Sequence, residues 1–539
     1  IYIILVLLIT TLSCTNKNAD LVVINAKIYT ASENNFVAKS LVVNNGKIIE
    51  VSNNNLDSKY NTDKIIDVED RTILPGLIDS HCHFYNLGLD QQVVDLRGTN
   101  SFEEIIDRLK KYDLKNDSDV ILGRGWDQND WDIKKFPINT ELNKNFKDKL
   151  VVLERIDGHA YIVNDNALEL AGIDEKTLVR GGLVLLKNNK PTGVLIDGPM
   201  SMIDQVLPEK TISEKVKALK KAEEISFSYG LTTVDDAGLN TGIISIIDSL
   251  HKLNELKIKI YAMVSVSKNN IEKFKKSGKI KTSKLNVRSF KVYGDGALGS
   301  RGAALKNPYC DDPHNYGFLR TDIKDLKYYA NEIAGMGFQM NTHAIGDSTV
   351  SVLLKEYQKV LNNIEDPRWR IEHSQVVDLK EFDLYNDKIL PSVQPTHATS
   401  DMYWAYDRLG KRIEGAYAFK DLLSSSKKIA LGTDFPVEKV NPFHTFYSSI
   451  ERKDLNGYPE NGFQIENALT REETLKGMTI WGAYFNFEEK EKGSIEKGKS
   501  ADFIIINQNI MEIDPEKIPH TKVLKTFIDG ELVYQNDDL

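Results

Sequence analysis

A regular alternation of short apolar strands and amphipathic helices runs through most of this 539-residue chain. Strands that alternate with helices favour a parallel sheet, because each helix returns the chain to the starting end of the next strand. Eight core strands are expected, at residues 77–83, 232–238, 259–266, 290–296, 339–346, 370–375, 390–397 and 429–436. Eight such units close a (β/α)8 barrel, so the sequence predicts an α/β fold of the TIM-like type over residues 76–489.

Two further units are expected around this barrel. The long interval between the first and second strands predicts an inserted subdomain at about residues 90–225. Residues 21–75 and 490–539 carry short β-rich runs broken by Asn/Gly turns, which are typical of hairpins. Because both chain ends share this texture, we expect them to form one small composite β-sandwich domain.

The N-terminal run IYIILVLLITTLSC is strongly apolar but shorter than the roughly 20 residues that span a bilayer. It is typical of the apolar part of a secretory signal. Its ending, Leu-Ser-Cys, resembles a bacterial lipobox, in which the cysteine is lipidated. Residues 1–14 are therefore expected to be a lipoprotein signal ending at Cys14, residues 15–20 a tether, and the protein exported and anchored in the bacterial cell envelope. An ordinary signal peptide or a hydrophobic strand is the alternative interpretation.

Composition excludes several other classes of protein. The net charge of −9, without a long Lys/Arg block, argues against nucleic-acid binding. Three cysteines are too few for a disulfide scaffold or a cysteine-based zinc module. A single apolar run argues against a polytopic membrane protein, so membrane contact is expected only through the N-terminal anchor. A small-molecule substrate is the expected partner, and a homo-oligomer is compatible with the sequence.

Potential metal ligands lie at the ends of several expected strands. His81 and His83 end the first strand, His343 lies in the fifth, His373 in the sixth and Asp434 in the eighth, while the fourth carries Lys291. The carboxyl ends of barrel strands meet at one mouth, where the active sites of this fold lie. Histidine and carboxylate are ligands that Zn²⁺ and similar ions prefer.

Each of these residues also has a simpler interpretation. A strand histidine is commonly a hydrogen-bonded core group, a single lysine is commonly solvated, and Asp434 could cap the next helix. The chain has ten histidines, and four of them fall at expected strand ends, with His397 following the seventh strand. This joint placement favours a metal site.

The motifs PGLIDSHCH, KVYGDGALGSR, NTHAIGD, RIEHSQ and LGTDFP resemble those of the amidohydrolase superfamily, and within it the family-3, YtcJ-like branch of metal-dependent hydrolases. The segments GWDQNDW, DGHAYIVN and PTGVL resemble the insertion of that branch. The likeness extends over nearly the whole chain after the signal. It implies the barrel fold, the terminal sandwich and hydrolysis at a metal centre. One departure is Asp197, at the end of PTGVLID, where a glutamate is expected in many relatives.

The resemblance also implies a role for each metal-site residue. His81, His83 and Asp434 would bind the first metal ion, and Lys291, carbamylated by CO₂, would bridge to a second. His343 and His373 would hold the second ion, or would orient water and substrate where only one is bound. Zn²⁺ is the expected ion, with one or two per chain.

The expected reaction is hydrolysis of a non-peptide C–N bond in a small amide, N-acyl or cyclic amide compound. A divalent ion lowers the pKa of its water to about 7 and polarises a carbonyl group. Asp434 is the expected catalytic residue, because its carboxylate can accept the water proton and later pass it to the leaving amine. The chain contains no Gly-x-Ser-x-Gly elbow, P-loop or dinucleotide-binding fingerprint after a strand.

Substrate contacts are expected from loops at the barrel mouth. The candidates are Trp126, Asp127, Asp157, His159, Asp295, Arg301 and His397. Arg301 could grip a carboxylate with two hydrogen bonds, although a surface salt bridge is the simpler alternative. Trp126 could instead pack inside the insertion, and His159 could satisfy a buried backbone group.

Two rival functions remain open at this point. The first is a deaminase, or a hydrolase of C–O or C–halogen bonds, on the same fold. The residues after His343 are AIGDSTV, without the nearby glutamate that single-metal deaminases use, which together with Lys291 favours amide hydrolysis. The second rival is a lipoprotein that binds a ligand without turnover, and such a protein would not need Asp434.

Overall fold

The computed structural model describes residues 17–116 and 118–537. The expected signal peptide, its lipidation site Cys14 and the first two residues of the expected tether lie outside the described residues. Within the described ranges, no helix has both the length and the apolar character needed to cross a bilayer.

Eight parallel strands form the main path of the nine-stranded central sheet, and each pairs with the next along that path. The ninth strand, Ile280–Lys281, pairs antiparallel with Leu285–Tyr293. The bounds of the eight parallel strands are Leu77–Cys82, Leu231–Leu239, Lys259–Ser265, Leu285–Tyr293, Gln339–Ala344, Trp369–His373, Ile389–Val393 and Ala430–Leu431. The first and last strands meet through loop hydrogen bonds, from Asp434 N to His81 O (2.8 Å) and from His83 N to Phe435 O (2.7 Å). The sheet is therefore a nearly closed barrel, and the eight-strand prediction is confirmed.

The helices that accompany the barrel pack apolar side chains onto the outer faces of the strands, in one continuous core. The longer ones are Ile212–Ser228, Thr241–Lys252, Lys268–Ser277, Ile323–Gly335, Asp347–Leu361 and Pro442–Glu451. Shorter ones are Phe84–Asp90, Pro395–Asp401, Ala405–Leu409, Phe419–Ser426, Arg471–Gly477 and Ile480–Phe485. Because the strands are covered on both faces, their side chains are almost all buried, as parallel sheets require.

Two further sheets share one apolar core, the first built from N-terminal strands and the second from strands of both chain ends. The first contains Lys47–Ser52, Ser40–Asn44, Leu21–Ile24 and Ile65–Asp67, in that spatial order. The second contains Glu531–Gln535, Val523–Ile528, Phe503–Ile506, Thr72–Pro75, Lys27–Tyr29 and Val37–Ala38. The hairpin expected from the Asn-Gly signal forms at Asn45 and Gly46, whose φ angles of 51° and 73° suit a two-residue turn.

A separate six-stranded mixed sheet lies between the first two barrel strands in the sequence. Its strands are Val94–Asp95, Val120–Trp126, Leu150–Arg155, Ala160–Val163, Lys190–Asp197 and Gly182–Lys187, in that spatial order. The helices Phe102–Asp113, Thr140–Asn145, Asp165–Leu170 and Met200–Asp204 belong to the same segment. We call residues 94–204 the inserted segment. Its strand ends reach the barrel mouth.

Candidate metal centre

The carboxyl ends of the barrel strands bring together side chains from distant parts of the sequence. One potential ligand atom each from His81, His373 and Asp434 lies within 4.8 Å of the others, and all three residues are buried. His81 lies in the first strand, His373 ends the sixth strand, and Asp434 lies in the loop after the eighth strand. This trio forms the centre of the candidate site.

Asp434 is the common partner of the surrounding imidazoles. Its Oδ1 lies 3.3 Å from His83 Nε2 and 3.6 Å from His81 Nε2. Its Oδ2 lies 3.8 Å from His397 Nε2 and 3.9 Å from His373 Nδ1. A single carboxylate therefore faces four histidines.

His81 is held from two sides. Its Nδ1 lies 2.5 Å from Glu372 Oε2, and its Nε2 lies 3.0 Å from Lys291 Nζ. The carboxylate of Glu372 fixes the ring so that Nε2 faces the centre of the site, as partners of metal-binding histidines commonly do. Lys291 is 1% exposed, so its amine also faces the interior of the barrel mouth.

The backbone departs from strand geometry at two of these residues. His373 has φ = 71° and Asp434 has φ = 61°, in the left-handed region that non-glycine residues rarely occupy. Such conformations cost free energy and concentrate at functional sites. At His373 the change also ends the strict alternation of the strand, so Glu372 and His373 both point towards the site.

The pKa shifts of the site residues favour protonation states that can bind a cation. Burial alone would raise the pKa of Asp434, but the facing histidines outweigh it and hold the pKa well below its ordinary value. Burial, aided by neighbouring positive groups, lowers the pKa values of His343 and His373 well below the ordinary range, which favours neutral imidazoles. Burial also lowers the pKa of Lys291 to about 8.

These residues fit a divalent metal ion. Asp434 Oδ1 is buried and makes no hydrogen bond within the described residues, although an ionised buried oxygen ordinarily requires a partner. Neutral imidazoles and one carboxylate are a donor set that suits Zn²⁺. An unmodified Lys291 ammonium would repel the ion, whereas a carbamate at the same atom would be a ligand.

A cavity of about 250 Å³ opens above this centre. His343, His373 and Asp434 line it, and the inserted segment forms part of its wall. The His343 ring lies 4.5 Å from the His373 ring between centroids, and 5.1 Å from that of His159. The imidazoles thus form a row along the cavity.

Four of the seven residues expected to contact substrate reach this cavity: Asp127, Asp157, His159 and His397. The first three come from the inserted segment. His397 lies in the helix Pro395–Asp401 rather than in a strand, and its ring stacks on that of His373 at 6.0 Å.

The other three lie elsewhere. Trp126 is fully buried in the apolar core of the inserted segment, where its indole N–H donates to the Leu153 carbonyl at 2.9 Å. Asp295 accepts hydrogen bonds from three backbone N–H groups and from the Thr349 hydroxyl, and it supports the loop after His343. Arg301 forms an ion pair with Asp311 at 2.8 Å. In this structure they have structural partners and do not line the cavity.

Several residues of the site were not singled out from the sequence. They are Glu372 behind His81, and Arg155, Asp401, Trp404 and Glu438 in the cavity wall. An acidic residue beside His373 in the expected core strand RIEHSQ was a usable signal for Glu372. Arg155 ends the strand Leu150–Arg155, and the other three lie in loops or at the end of a short helix whose conformation the sequence pattern does not specify.

Replacing Glu372 by Gln is expected to weaken metal binding by about 10- to 100-fold, because His81 loses the charged partner that orients its ring. Competition with a chromogenic chelator measures this affinity. Glu488→Gln is the matched control, since Glu488 is also a buried, ion-paired glutamate but pairs with Lys492 at 2.7 Å, away from His81. Equal metal affinity in the Glu372→Gln variant and the wild type would contradict this role.

Comparison with known proteins agrees with this geometry. Residues 64–534 match the amidohydrolase family. YtcJ of Bacillus subtilis (strain 168), named as an amidohydrolase, is 30% identical over 89% of this chain and 92% of its own length. The N-substituted formamide deformylase of Arthrobacter pascens is 20% identical over 96% of this chain and 98% of its own. The structure of an uncharacterized metal-dependent hydrolase from Pyrococcus horikoshii OT3 superposes with a TM-score of 0.74 at 26% identity, covering 92% of this chain and 99% of that one. This chain belongs to the amidohydrolase family.

Proposed function

We propose that this protein hydrolyses a non-peptide C–N bond, of an amide, N-acyl or cyclic amide type, in a small molecule at a divalent metal centre. The observation that carries the proposal is the buried trio of His81, His373 and Asp434 beneath a small cavity. Family membership supports hydrolysis, and one relative bears the name of an N-substituted formamide deformylase. That activity is the relative's own and indicates which compounds to test first.

In this proposal His81, His83 and Asp434 would hold one ion, and where a second ion binds, His343, His373 and a carbamate on Lys291 would hold it. Zn²⁺ is the proposed ion. When bound, it supplies Lewis acidity that polarises the substrate carbonyl and lowers the pKa of the attacking water.

The residues of the chain carry the proton. Asp434 accepts a proton from the attacking water as the new C–O bond forms. It then donates that proton to the leaving nitrogen as the C–N bond breaks, so that water and amide give an acid and an amine. Its low pKa keeps the carboxylate ionised at the start of the cycle.

The charges lining the cavity limit which substrates fit. Six carboxylates line it: Asp127, Asp130, Asp157, Asp401, Asp434 and Glu438. The lining contains one arginine, Arg155, and its guanidinium is already paired with Asp127 and Asp157 and bonded to Gln128. Within the described residues, Asp401 and Glu438 have no ion-pair partner. Burial raises the pKa of Asp401 to about 7 and that of Glu438 above its ordinary value, so these two carboxyl groups carry less than a full negative charge at neutral pH. The excess of acidic over basic groups in the lining still favours a substrate with an amine over one with a carboxylate.

A panel of amides tests both the reaction and this charge preference. The Zn²⁺-loaded protein is incubated with N-formyl, N-acetyl and cyclic amides of equal size that carry an amine, a neutral or a carboxylate group. We expect release of the amine or acid product, with kcat/KM at least about 10-fold higher for amine-bearing than for carboxylate-bearing compounds, which corresponds to about 1.4 kcal/mol. The neutral compounds are the matched control for size.

The rival functions give different outcomes when aminated rings, esters and halogenated rings are assayed beside the amide panel. Ammonia release from aminated ring compounds, without amide cleavage, would indicate a deaminase. Turnover of esters or halogenated rings alone would indicate a C–O or C–halogen hydrolase. Binding without turnover of any compound would indicate a ligand-binding protein, and each of these results would overturn the proposal.

A further inference from the structure

One imidazole in the cavity wall comes from the inserted segment and not from a barrel strand. His159 lies just before the strand Ala160–Val163, and its side chain is 9% exposed. Its Nδ1 lies 2.6 Å from Asp197 Oδ1. Its ring lies 5.1 Å from His343, at the end of the histidine row away from Asp434. The imidazoles within 4 Å of Asp434 are those of His81, His83, His373 and His397.

Asp197 connects His159 to the barrel. Its side chain is fully buried, and Arg320, in the barrel segment after the fourth strand, reaches Asp197 Oδ1 with Nη1 at 3.1 Å. The backbone N–H of Asp197 also donates to the His159 carbonyl at 3.1 Å. Two contacts, one of the backbone and one of the side chain, therefore fix His159 to Asp197.

The barrel loop leaves room for this carboxylate through two glycines. A Cβ atom on Gly296 would lie 2.5 Å from Asp197 Oδ2, and a Cβ atom on Gly302 would lie 2.9 Å from it. Both distances are shorter than a non-bonded contact permits, so the loop can approach Asp197 only because these residues lack side chains. The short aspartate and the two glycines together form a close junction between the inserted segment and the barrel.

With Nδ1 bonded to Asp197, the remaining ring nitrogen, Nε2, has no hydrogen-bond partner within residues 17–116 and 118–537. His159 lines the cavity, so this atom is a polar group that the inserted segment offers to a bound molecule, beside the carboxylates of Asp127 and Asp157.

We propose that His159 contacts the amide group of the substrate through Nε2, and that Asp197, itself held by Arg320, is the positioning residue that aims the ring. This inference rests on the proposed amide hydrolysis. Asp434 acts on the proton at one end of the row, and His159 binds the amide group from the other end. Substrate binding therefore depends on the junction between the inserted segment and the barrel.

Two replacements of His159 separate substrate contact from structural support. Asparagine places an N–H near the position of Nδ1 and keeps the bond to Asp197, but it has no atom at Nε2. Glutamine places an N–H near the position of Nε2. With N-formylbenzylamine as the probe, we expect kcat/KM to fall about 100-fold in His159→Asn, as when one polar group that contacts the reacting amide is removed. His159→Gln is expected to recover part of that loss.

A double-mutant cycle tests the positioning role of Asp197. We expect Asp197→Asn alone to lower kcat, and to do so more than it raises KM, with a loss of about 10-fold in kcat/KM. In the His159→Asn background, Asp197→Asn should cause no further loss of kcat/KM, because the imidazole ring whose Nε2 is aimed by Asp197 is absent. Asp204→Asn is the matched control, since Asp204 also accepts a hydrogen bond within the inserted segment, from the Tyr161 hydroxyl at 2.9 Å.

A second readout does not depend on turnover. In ¹⁵N-histidine-labelled full-length protein, the Nδ1–H proton of His159 should give a downfield signal that is lost in Asp197→Asn and kept in Asp204→Asn. Metal content, measured by elemental analysis, should equal that of the wild type in every variant.

Three results would overturn the inference: wild-type kinetics in His159→Asn, an equal cost of Asp197→Asn in both backgrounds, or a downfield signal that persists in Asp197→Asn. If the wild type cleaves the amide panel while these results are found, the proposed function stands and only the inference fails. If the Zn²⁺-loaded wild type cleaves no amide, the proposed function fails first and the inference with it.

Discussion

Replacing Asp434 by Asn is expected to lower kcat by at least about 100-fold while most of the metal is retained. The asparagine side chain keeps an oxygen at the position of Oδ1 or Oδ2, so it can still face His81 and His83. Its amide does not accept the water proton, and the proton transfer to the leaving nitrogen is therefore lost. Steady-state kinetics on the best compound of the amide panel, together with elemental analysis of the same sample, measures both effects.

Asp204→Asn serves as the control for this variant as well, because it removes a carboxylate of the inserted segment that does not line the cavity. Its kcat should stay within a factor of about two of the wild type, as expected for a change away from the reacting atoms. A near-wild-type rate in Asp434→Asn would contradict the proposed proton transfer. Loss of the metal together with the activity would instead assign Asp434 mainly to ion binding.

Removal of the metal is expected to have the larger effect. Dialysis against a chelator should lower kcat/KM by at least about 1,000-fold, equivalent to about 4 kcal/mol of transition-state stabilisation, and Zn²⁺ should restore it. The physical reason is that neutral imidazoles and Asp434 alone provide no strong electrophile for the carbonyl. Activity that persists in the chelated protein, after elemental analysis shows it to be metal-free, would contradict a metal-dependent reaction.

The metal content of the restored protein distinguishes the two arrangements of the site. About two ions per chain, falling to about one in Lys291→Ala, would support a carbamate bridge at Lys291. About one ion in both proteins would assign the working site to His81, His83 and Asp434, and would leave His343 and His373 as groups that orient water and substrate.

The ends of the barrel strands were largely predictable from the sequence, and the loops between them were not. Runs such as RIEHSQ and LGTDFP combine a buried strand with a polar terminus, and parallel strands require those termini to meet. His81, His373 and Asp434 could therefore be grouped although they come from three different parts of the sequence. The last strand, Ala430–Leu431, is much shorter than the expected 429–436, because the backbone N–H and the hydroxyl of Thr433 donate to the buried carboxylate of Asp79 and do not continue the ladder.

No such geometric rule predicts the positions of side chains in loops. Arg301 looked available to bind an anion, but its partner Asp311 lies ten residues further along a loop whose path no periodicity predicts. Asp295 belongs to the same loop and turns inward to accept backbone N–H groups. Glu372 was not predicted because strict strand alternation would place its side chain on the face opposite that of His373. The positive φ of His373 breaks this alternation.

The proposed metal ligands and most of the proposed substrate contacts come from different parts of the chain, and this separation has an evolutionary consequence. All the proposed metal ligands belong to barrel strands or to the loops that follow them, whereas Asp127, Asp157 and His159 belong to a continuous stretch of about a hundred residues between two strands. If the proposed substrate contacts are correct, mutations in that stretch would change which molecule is accepted while the proposed metal ligands stay the same. New substrates could thus be acquired through mutations in this one segment of the sequence, while the residues that bind the metal are kept.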